Sequence, residues 1–400
     1  NLPRLNEVGG AVSGDTQMAL FTAEGLIRGS TAARVHGATD PLPEVQLAYQ
    51  RWLHTRGVAW HLAAGAFHGD HPLPDGWLVS VPGMFDPPFP DNTVFESLVR
   101  FGQGRPIGSV LRKINDSKGS GGLTRAAPAA LYSSDPSEVF ELAVRTAALT
   151  HGHPSGYLPA GALAVIVQQA LLGRTLDDGV WLALQVLETW EGHEETSALL
   201  KAGVELASQG MPAPQQIERT LGSGWVAEQA LAIAVCAALV AEDDFELAMR
   251  VSVHHSGDSD STGAVCGTIV GALLGVEALP VDRLAELKLR EVLQQMALDC
   301  VAEFGGPEFG MGGDQDAGQP TDEDWMHRYP VRAGRADQPA EPVPAGMSVG
   351  PSEVEEPGGS EQGGSEPPGE RAEARVPDAG EVRAPKPAPR RISGIAGREG

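Results

Sequence analysis

The chain has 400 residues, 42% of them hydrophobic, with a formal net charge of −24. That length suits one large domain or two ordinary ones with a sizeable core, and the acidic balance argues against nucleic acid as a partner. No apolar run reaches the roughly 20 residues a membrane helix needs; the longest, 263–276, ends at Glu277.

Residues 1–330 read as helices joined by Gly- and Pro-bearing loops, with almost no alternating strand pattern. Apolar residues at helical spacing predict a helix over 16–29, preceded by Ser13, Asp15 and Thr16. The stretch 69–90 is long and irregular, a segment expected to cover something. "GSGG" at Gly119, Ser120, Gly121 and Gly122 reads either as a flexible turn or as a loop whose backbone N–H groups approach a diphosphate. Helices follow over 137–150, opened by Ser137 with Glu138 and Glu141, and over 158–173, 176–190, 196–210, 224–241 and 281–304. His151, in the "HGHPSG" turn, is either a structural dipole partner or a residue facing a ligand.

The stretch "HHSGDSDSTGAVCGTIVGALLG" (254–275) places Asp258, Asp260, Ser261 and Thr262 ahead of a helix with glycine at 263, 267, 271 and 275. A glycine face of that period predicts close approach by another helix and a central position. One Asp or Ser would suffice as a cap. Two carboxylates with hydroxyls also suit a hard cation such as Mg²⁺, Ca²⁺ or Mn²⁺. The Ser13–Asp15–Thr16 group repeats this grammar, so two helix mouths could share one cation cluster.

Cys236, Cys266 and Cys300 sit among apolar or helical residues and read as buried reduced thiols, which places the protein in the cytoplasm. Residues 331–400 are rich in Pro, Gly, Glu and Ser with few large apolar side chains, and are expected to be a disordered tail. Its basic end, "RAPKPAPRRISGIAGREG", reads as a solvated terminus or a docking peptide. The first residue is Asn and no signal-like segment opens the chain, so a fragment or processed form is expected. The fold class expected is all-α: one compact multi-helix domain followed by the tail.

Five stretches, "SGDTQMALFTAEGLIRG", "SKGSGGLTRAAPAAL", "LTHGHPSGYLPAGALA", "GWVAEQALAIAV" and "HSGDSDSTGAVCGTIVGALLG", occur in this order. In that order they resemble the successive motifs of the ADP-ribosylglycohydrolase family, to which the dinitrogenase-reductase-activating glycohydrolases are related. The resemblance spans nearly all of residues 8–330. It implies an all-α fold, a pair of Mg²⁺ ions (Mn²⁺ in some members), and hydrolysis of the bond between ADP-ribose and a modified side chain, often arginine.

The family's first motif has a hydroxyl residue, two aspartates and a threonine. Ser13, Asp15 and Thr16 match it, and Gly14 stands where the first aspartate is expected. Gly257, Asp258, Asp260 and Ser261 match the last motif in full. By this resemblance Ser13, Asp15, Asp258, Asp260 and Ser261 are the metal ligands, and Asp15, Asp258 and Asp260 the catalytic acids. Gly119, Ser120, Gly121 and Gly122 form the substrate loop, and His151 faces the substrate. The family's segment ahead of the first motif, with G-D-A and a nearby glutamate, has no counterpart in this sequence.

The activity implied is a Mg²⁺-dependent hydrolase that removes ADP-ribose from a protein side chain, arginine first. The alternative, carried by Gly14, is a degenerate member that binds ADP-ribose without turnover. The partner is an ADP-ribosylated protein or a small ADP-ribosyl substrate, with no nucleic acid or membrane, and the protein acts as a monomer.

Overall fold

The structure, a computed structural model, describes residue 10 and residues 12–86, 91–306 and 322–332. Almost all of the predicted tail lies outside the described residues. Among them the architecture is all-α, with no strand.

Helix α1 (Gly14–His36) starts where Ser13 Oγ accepts from the Thr16 N–H at 3.4 Å, and stops at Gly37, whose φ of 71° is left-handed. It is buried on most sides from Gln17 to Gly29. Against it lies α2 (Leu42–Thr55), which the sequence pattern did not reveal. The two backbones approach at Gly25, where a Cβ would stand 2.6 Å from Val45 Cα.

The short α3 (Trp60–Ala63) and α4 (Asn92–Gly102) pack beside α2. Helix α5 (Pro136–Ala148) is capped by Asp135, two residues before the expected Ser137, because Pro136 suits the first helical position. Helix α6 (Pro154–Leu171) starts at the His153–Pro154 pair, four residues ahead of the expected 158, and carries Pro159 within it. Then come α7 (Leu176–Leu187), α8 (Glu194–Ser208), α9 (Pro214–Leu221), α10 (Ala227–Ala241), α11 (Phe245–Val253) and α12 (Ser259–Leu274). Helices α6 and α10 are apolar nearly all round and form the centre of the core, flanked by α5, α7, α8 and α12.

The single helix expected over 281–304 is two, α13 (Val281–Glu286) and α14 (Arg290–Phe304). Between them Leu289 takes φ 58°, and its side chain packs on Gly83 of the long loop. The final described helix is α15 (Glu323–Arg328).

The long loop does cover something: a group of charges under α1 and α2. Arg51 Nε bonds Glu24 Oε2 at 3.1 Å, both side chains fully buried. Arg28 pairs with Glu44 at 3.2 Å and with Asp75 of the loop at 2.9 Å. Two turns of 3-10 helix, Leu78–Ser80 and Pro82–Phe85, shape the loop, and Leu78 and Met84 anchor it in the core.

The glycine row of α12 serves less uniformly than its period suggested. A Cβ at Gly263 would stand 2.9 Å from Val253 of α11, and one at Gly267 3.4 Å from Met249 Sδ. One at Gly271 meets no described atom within 4 Å, and Gly275, with φ 75°, ends the helix. Gly25→Ala is therefore expected to cost about 1–3 kcal/mol, since only backbone could yield. Gly271→Ala is expected to stabilise by about 0.5–1 kcal/mol. Chemical denaturation of the two variants checks both signs.

Cys236, Cys266 and Cys300 are unpaired and buried, and burial pushes their thiols up, to about 11 for Cys236 and about 12 for the other two. No helix among the described residues is long and apolar enough to cross a membrane.

Candidate functional site

One turn, residues 119–124, brings the sequence motifs together. Its backbone closes on itself, with Ser120 C=O accepting from the N–H groups of Leu123 and Thr124 at 2.9 and 3.0 Å. The Ser120 hydroxyl bonds the Ser261 hydroxyl at 2.8 Å, tying the turn to the α12 mouth. Thr124 Oγ1 donates to Asp15 Oδ1 at 2.9 Å, tying it to the α1 mouth. His151 lies against its glycines: a Cβ at Gly119 would stand 3.4 Å from Nε2, and one at Gly122 3.3 Å from Nδ1. The first and last motifs, the glycine loop and His151 thus meet around one turn.

Each helix mouth owes its position to local chemistry. Ser13 caps α1, and Asp15 sits in its first turn. Asp258 caps α12, accepting from the Ser261 N–H at 3.3 Å, and its own N–H donates to Ser223 C=O at 2.8 Å. Gly257 permits that contact, because a Cβ there would collide with the Ser223 carbonyl. Ser13 and Asp258 therefore both act as helix caps, and the Asp258 cap uses one of its two carboxylate oxygens. Asp15 and Asp260 are acids beyond what the caps need, and each leaves at least one carboxylate oxygen for another use.

These acids act on one another. Burial pushes the Asp15 carboxyl up to about 7, with Asp260 the strongest charge adding to the rise and Asp91 and Asp258 contributing. Burial and Asp258 raise Asp260. Among the described residues no three His, Cys, Asp or Glu side chains converge closely enough to hold an ion by themselves. Mg²⁺ is commonly held through one or two carboxylates with several waters. The hydroxyl and carboxylate donors here, crowded enough to raise each other's pKa, fit a hard divalent cation that would relieve the repulsion.

His151 is fully buried, and burial followed by the Arg125 charge pulls it down to about 4, so it is neutral at physiological pH. Nδ1 shares a hydrogen bond with Thr150 Oγ1 at 2.9 Å, and Nε2 has no partner among the described residues. The glycines of the turn are used first by the protein itself. Beside the imidazole, Gly122 admits the Ala147 methyl and Gly121 admits the Asp91 carboxylate.

Several members of the site escaped the sequence reading. Arg125 is buried and holds the turn to the end of α5: it donates to Gly121 C=O and Thr146 C=O at 3.1 Å and to Thr150 Oγ1 at 2.7 Å, with Tyr49 under its guanidinium. The only sequence signal was its place directly after "GSGGLT". Asp91 caps α4, accepting from the Val94 N–H at 3.1 Å. Its signal was an Asp directly before the helix, three residues ahead of the first apolar residue, Val94.

Arg125→Met is expected to cost about 3 kcal/mol, since three buried acceptors lose a charged donor. It should also loosen the turn. Thermal melting, with and without ADP-ribose, measures both.

A family model for ADP-ribosylglycohydrolases matches residues 2–308. The chain is 30% identical over 190 residues to ADP-ribosylhydrolase ARH3 of Homo sapiens, and equally to that of Bos taurus, covering 41% of this chain and 52% of each relative. It thus spans about half the length of these curated relatives. A solved chain described as belonging to an ADP-ribosylglycohydrolase-related protein complex shares the fold, with a TM-score of 0.50 and 24% identity over 74% of this chain and 83% of the other.

Proposed function

The chain belongs to the ADP-ribosylglycohydrolase family, and from that premise we propose that it hydrolyses the glycosidic bond between ADP-ribose and a modified protein side chain, arginine first, with the help of Mg²⁺ or Mn²⁺. The observation that carries the reading is the 119–124 turn, which holds Asp15 through Thr124, Ser261 through Ser120, and His151 against Gly119 and Gly122.

In this reading Asp15, Asp258 and Asp260, with the Ser13 and Ser261 hydroxyls, would hold up to two ions. A bound cation would supply Lewis acidity and a lowered pKa for water. The protein groups supply position. The uncharged Nε2 of His151 and the turn orient the ADP-ribose beside the α1 and α12 mouths. A carboxylate at one of these mouths accepts the proton of the attacking water as charge develops on the ribose. A neutral His151 adds no charge to an acidic site, so its part is to orient by hydrogen bonding.

The same reading places the protein in the cytoplasm, supported by three buried unpaired thiols. It also takes the protein to act as a monomer. Gly14 favours the second reading, a member that binds ADP-ribose without turnover, because one expected acid is absent.

The test is ADP-ribose release from protein ADP-ribosylated on arginine and, separately, on hydroxyl side chains, with Mg²⁺ supplied. Release from the arginine-linked substrate is the expected result. Release from hydroxyl-linked substrate alone would reject the arginine assignment. ADP-ribose binding with no release from either would favour the second reading.

A further inference from the structure

Residues 322–332 lie beyond the part of the chain that the family model matches, which ends at 308. They are seated on the fold nonetheless. Trp325 is buried, and its Nε1 donates to Thr31 Oγ1 of α1 at 3.3 Å. Tyr329 is buried against it, with ring centres 4.7 Å apart, and donates to Asp299 Oδ2 of α14 at 2.7 Å. Arg328 adds bonds to Asp299 at 3.1 and 3.2 Å. The same segment reaches the long loop. The Trp77 N–H donates to Arg328 C=O at 3.3 Å. Arg332 donates to Asp70 C=O at 2.6 Å and stands 3.6 Å from Asp75 Oδ2.

We propose that residues 72–77 are a flap over the buried charges of α1 and α2, and that residues 322–332 are the clasp that holds it shut. When the clasp lifts, the flap opens as a unit and water reaches Glu24, Arg28 and Arg51, while the α6 and α10 core stays folded. The device is independent of the cation reading. Three observations carry it. First, the flap contains no buried residue, although His71 before it and Leu78 after it are both buried, and its Leu73 is 71% exposed. Pro72 and Pro74 have no N–H to give, and the Trp77 N–H goes to the clasp. Its other hold is Asp75, which pairs with Arg28 at 2.9 Å. Second, the seam beneath is polar. Glu24 Oε1, Arg28 Nη2, Arg51 Nη2 and both ends of the Gln50 amide are buried without a hydrogen-bond partner among the described residues. Such groups regain hydration when water enters, so this seam resists opening less than an apolar one. Third, the clasp closes with two buried aromatic rings, whereas the flap buries none. Stretches with few buried apolar contacts open locally at lower free energy than the core, so the clasp decides whether the flap is open or shut.

The experiment is native-state hydrogen–deuterium exchange of the full chain, read over residues 73–77 and over α6 and α10. The proteins are the unaltered chain, Trp325→Ala and Arg332→Ala. Trp325→Ala removes the clasp's larger ring and is expected to speed exchange over 73–77 by about tenfold or more. Arg332→Ala removes the bonds to Asp70 and Asp75 from a half-exposed side chain, and is expected to speed it by about three- to tenfold. Exchange in α6 and α10 should stay at the parent rate in both. Should Trp325→Ala fold poorly, Arg332→Ala decides. Parent-like exchange over 73–77 in the folded variants would show that the clasp does not hold the flap, and would overturn the proposal. So would an equal acceleration in α6 and α10, which would make these residues an ordinary part of one cooperative fold. A Trp77 amide without protection in the unaltered chain would overturn it as well.

Discussion

The Asp260→Asn variant is expected to lose roughly 10³-fold in the rate of ADP-ribose release while folding as well as the parent chain. The magnitude is that of removing one electrostatic group aimed at developing charge. Folding is spared because Asp258, not Asp260, caps α12. The cation-free protein should even gain stability, since Asp260 is the leading charge that raises Asp15. The pH dependence follows from the sign of that shift. A carboxyl raised from 3.8 to about 7 takes up protons on folding between those values. Its favourable contribution is complete below its unfolded pKa and is lost as pH rises through 7. Without cation, stability should therefore fall between pH 5 and pH 8. Asp15→Asn should remove that fall and be more stable than the parent at pH 8 by about 1 kcal/mol or more, the full shift being discounted for partial solvent screening. Added Mg²⁺ should reverse the order, stabilising the parent and not the variant. Melting curves across pH, with and without Mg²⁺, measure all of this. A parent whose cation-free stability is flat from pH 5 to 8 would remove the electrostatic basis of the site.

The second large effect lies away from the site. Glu24→Ala is expected to destabilise the fold by about 3–5 kcal/mol, because it leaves the buried Arg51 guanidinium, 3.1 Å from the lost carboxylate, without that partner. Arg28 would keep Glu44 and Asp75. At about 2–4 °C per kcal/mol, a drop in Tm of roughly 10 °C follows. Replacing both partners, Glu24→Leu with Arg51→Met, should cost much less than Glu24→Ala alone, since no charge is then stranded. A double variant as unstable as the single would mean that the long loop, held by Asp75, depends on these charges for its position. In either case the site should be affected only through stability, because Glu24 lies in the middle of α1 and not at its mouth.

Much of the fold was legible because its central helices are long and apolar. Helix α10 and most of α6 stood out as runs that could only be buried. Helices that escaped, α2, α4, α9 and α11 among them, lie on the flanks and mix polar with apolar residues. Helix α2, for example, buries Gln46, Gln50 and Arg51 as well as Leu47 and Leu53, so its polar residues hid its burial. The break at Leu289 was not legible, since an L-residue with positive φ follows from its packing on Gly83, a contact distant in sequence.

The helix mouths of the site could be seen from Ser13, Asp15, Asp258, Asp260 and Ser261. Each combines hydroxyl and acid just before an apolar run, a pattern local in sequence. Arg125, Thr124 and Asp91 could not, because each acts across the fold on a residue from another segment. A lone Arg after a glycine turn, or a lone Asp before a helix, has an ordinary local explanation until the turn is seen to connect them. The glycines of the turn invited a reading as an open cradle for phosphate. In the structure Gly121 and Gly122 first make room for Asp91, Ala147 and His151.

The central claim is that the acids of the α1 and α12 mouths and the 119–124 turn form one cation-assisted ADP-ribose site. It is tested most directly by calorimetric titration of the chain with ADP-ribose, in Mg²⁺ and in chelator. The account expects binding in Mg²⁺ that weakens by about tenfold or more in chelator, a difference of about 1.4 kcal/mol. It further expects the Mg²⁺-dependent part to vanish in Asp258→Asn. Equal affinity in Mg²⁺ and chelator, or no binding in either, would contradict it.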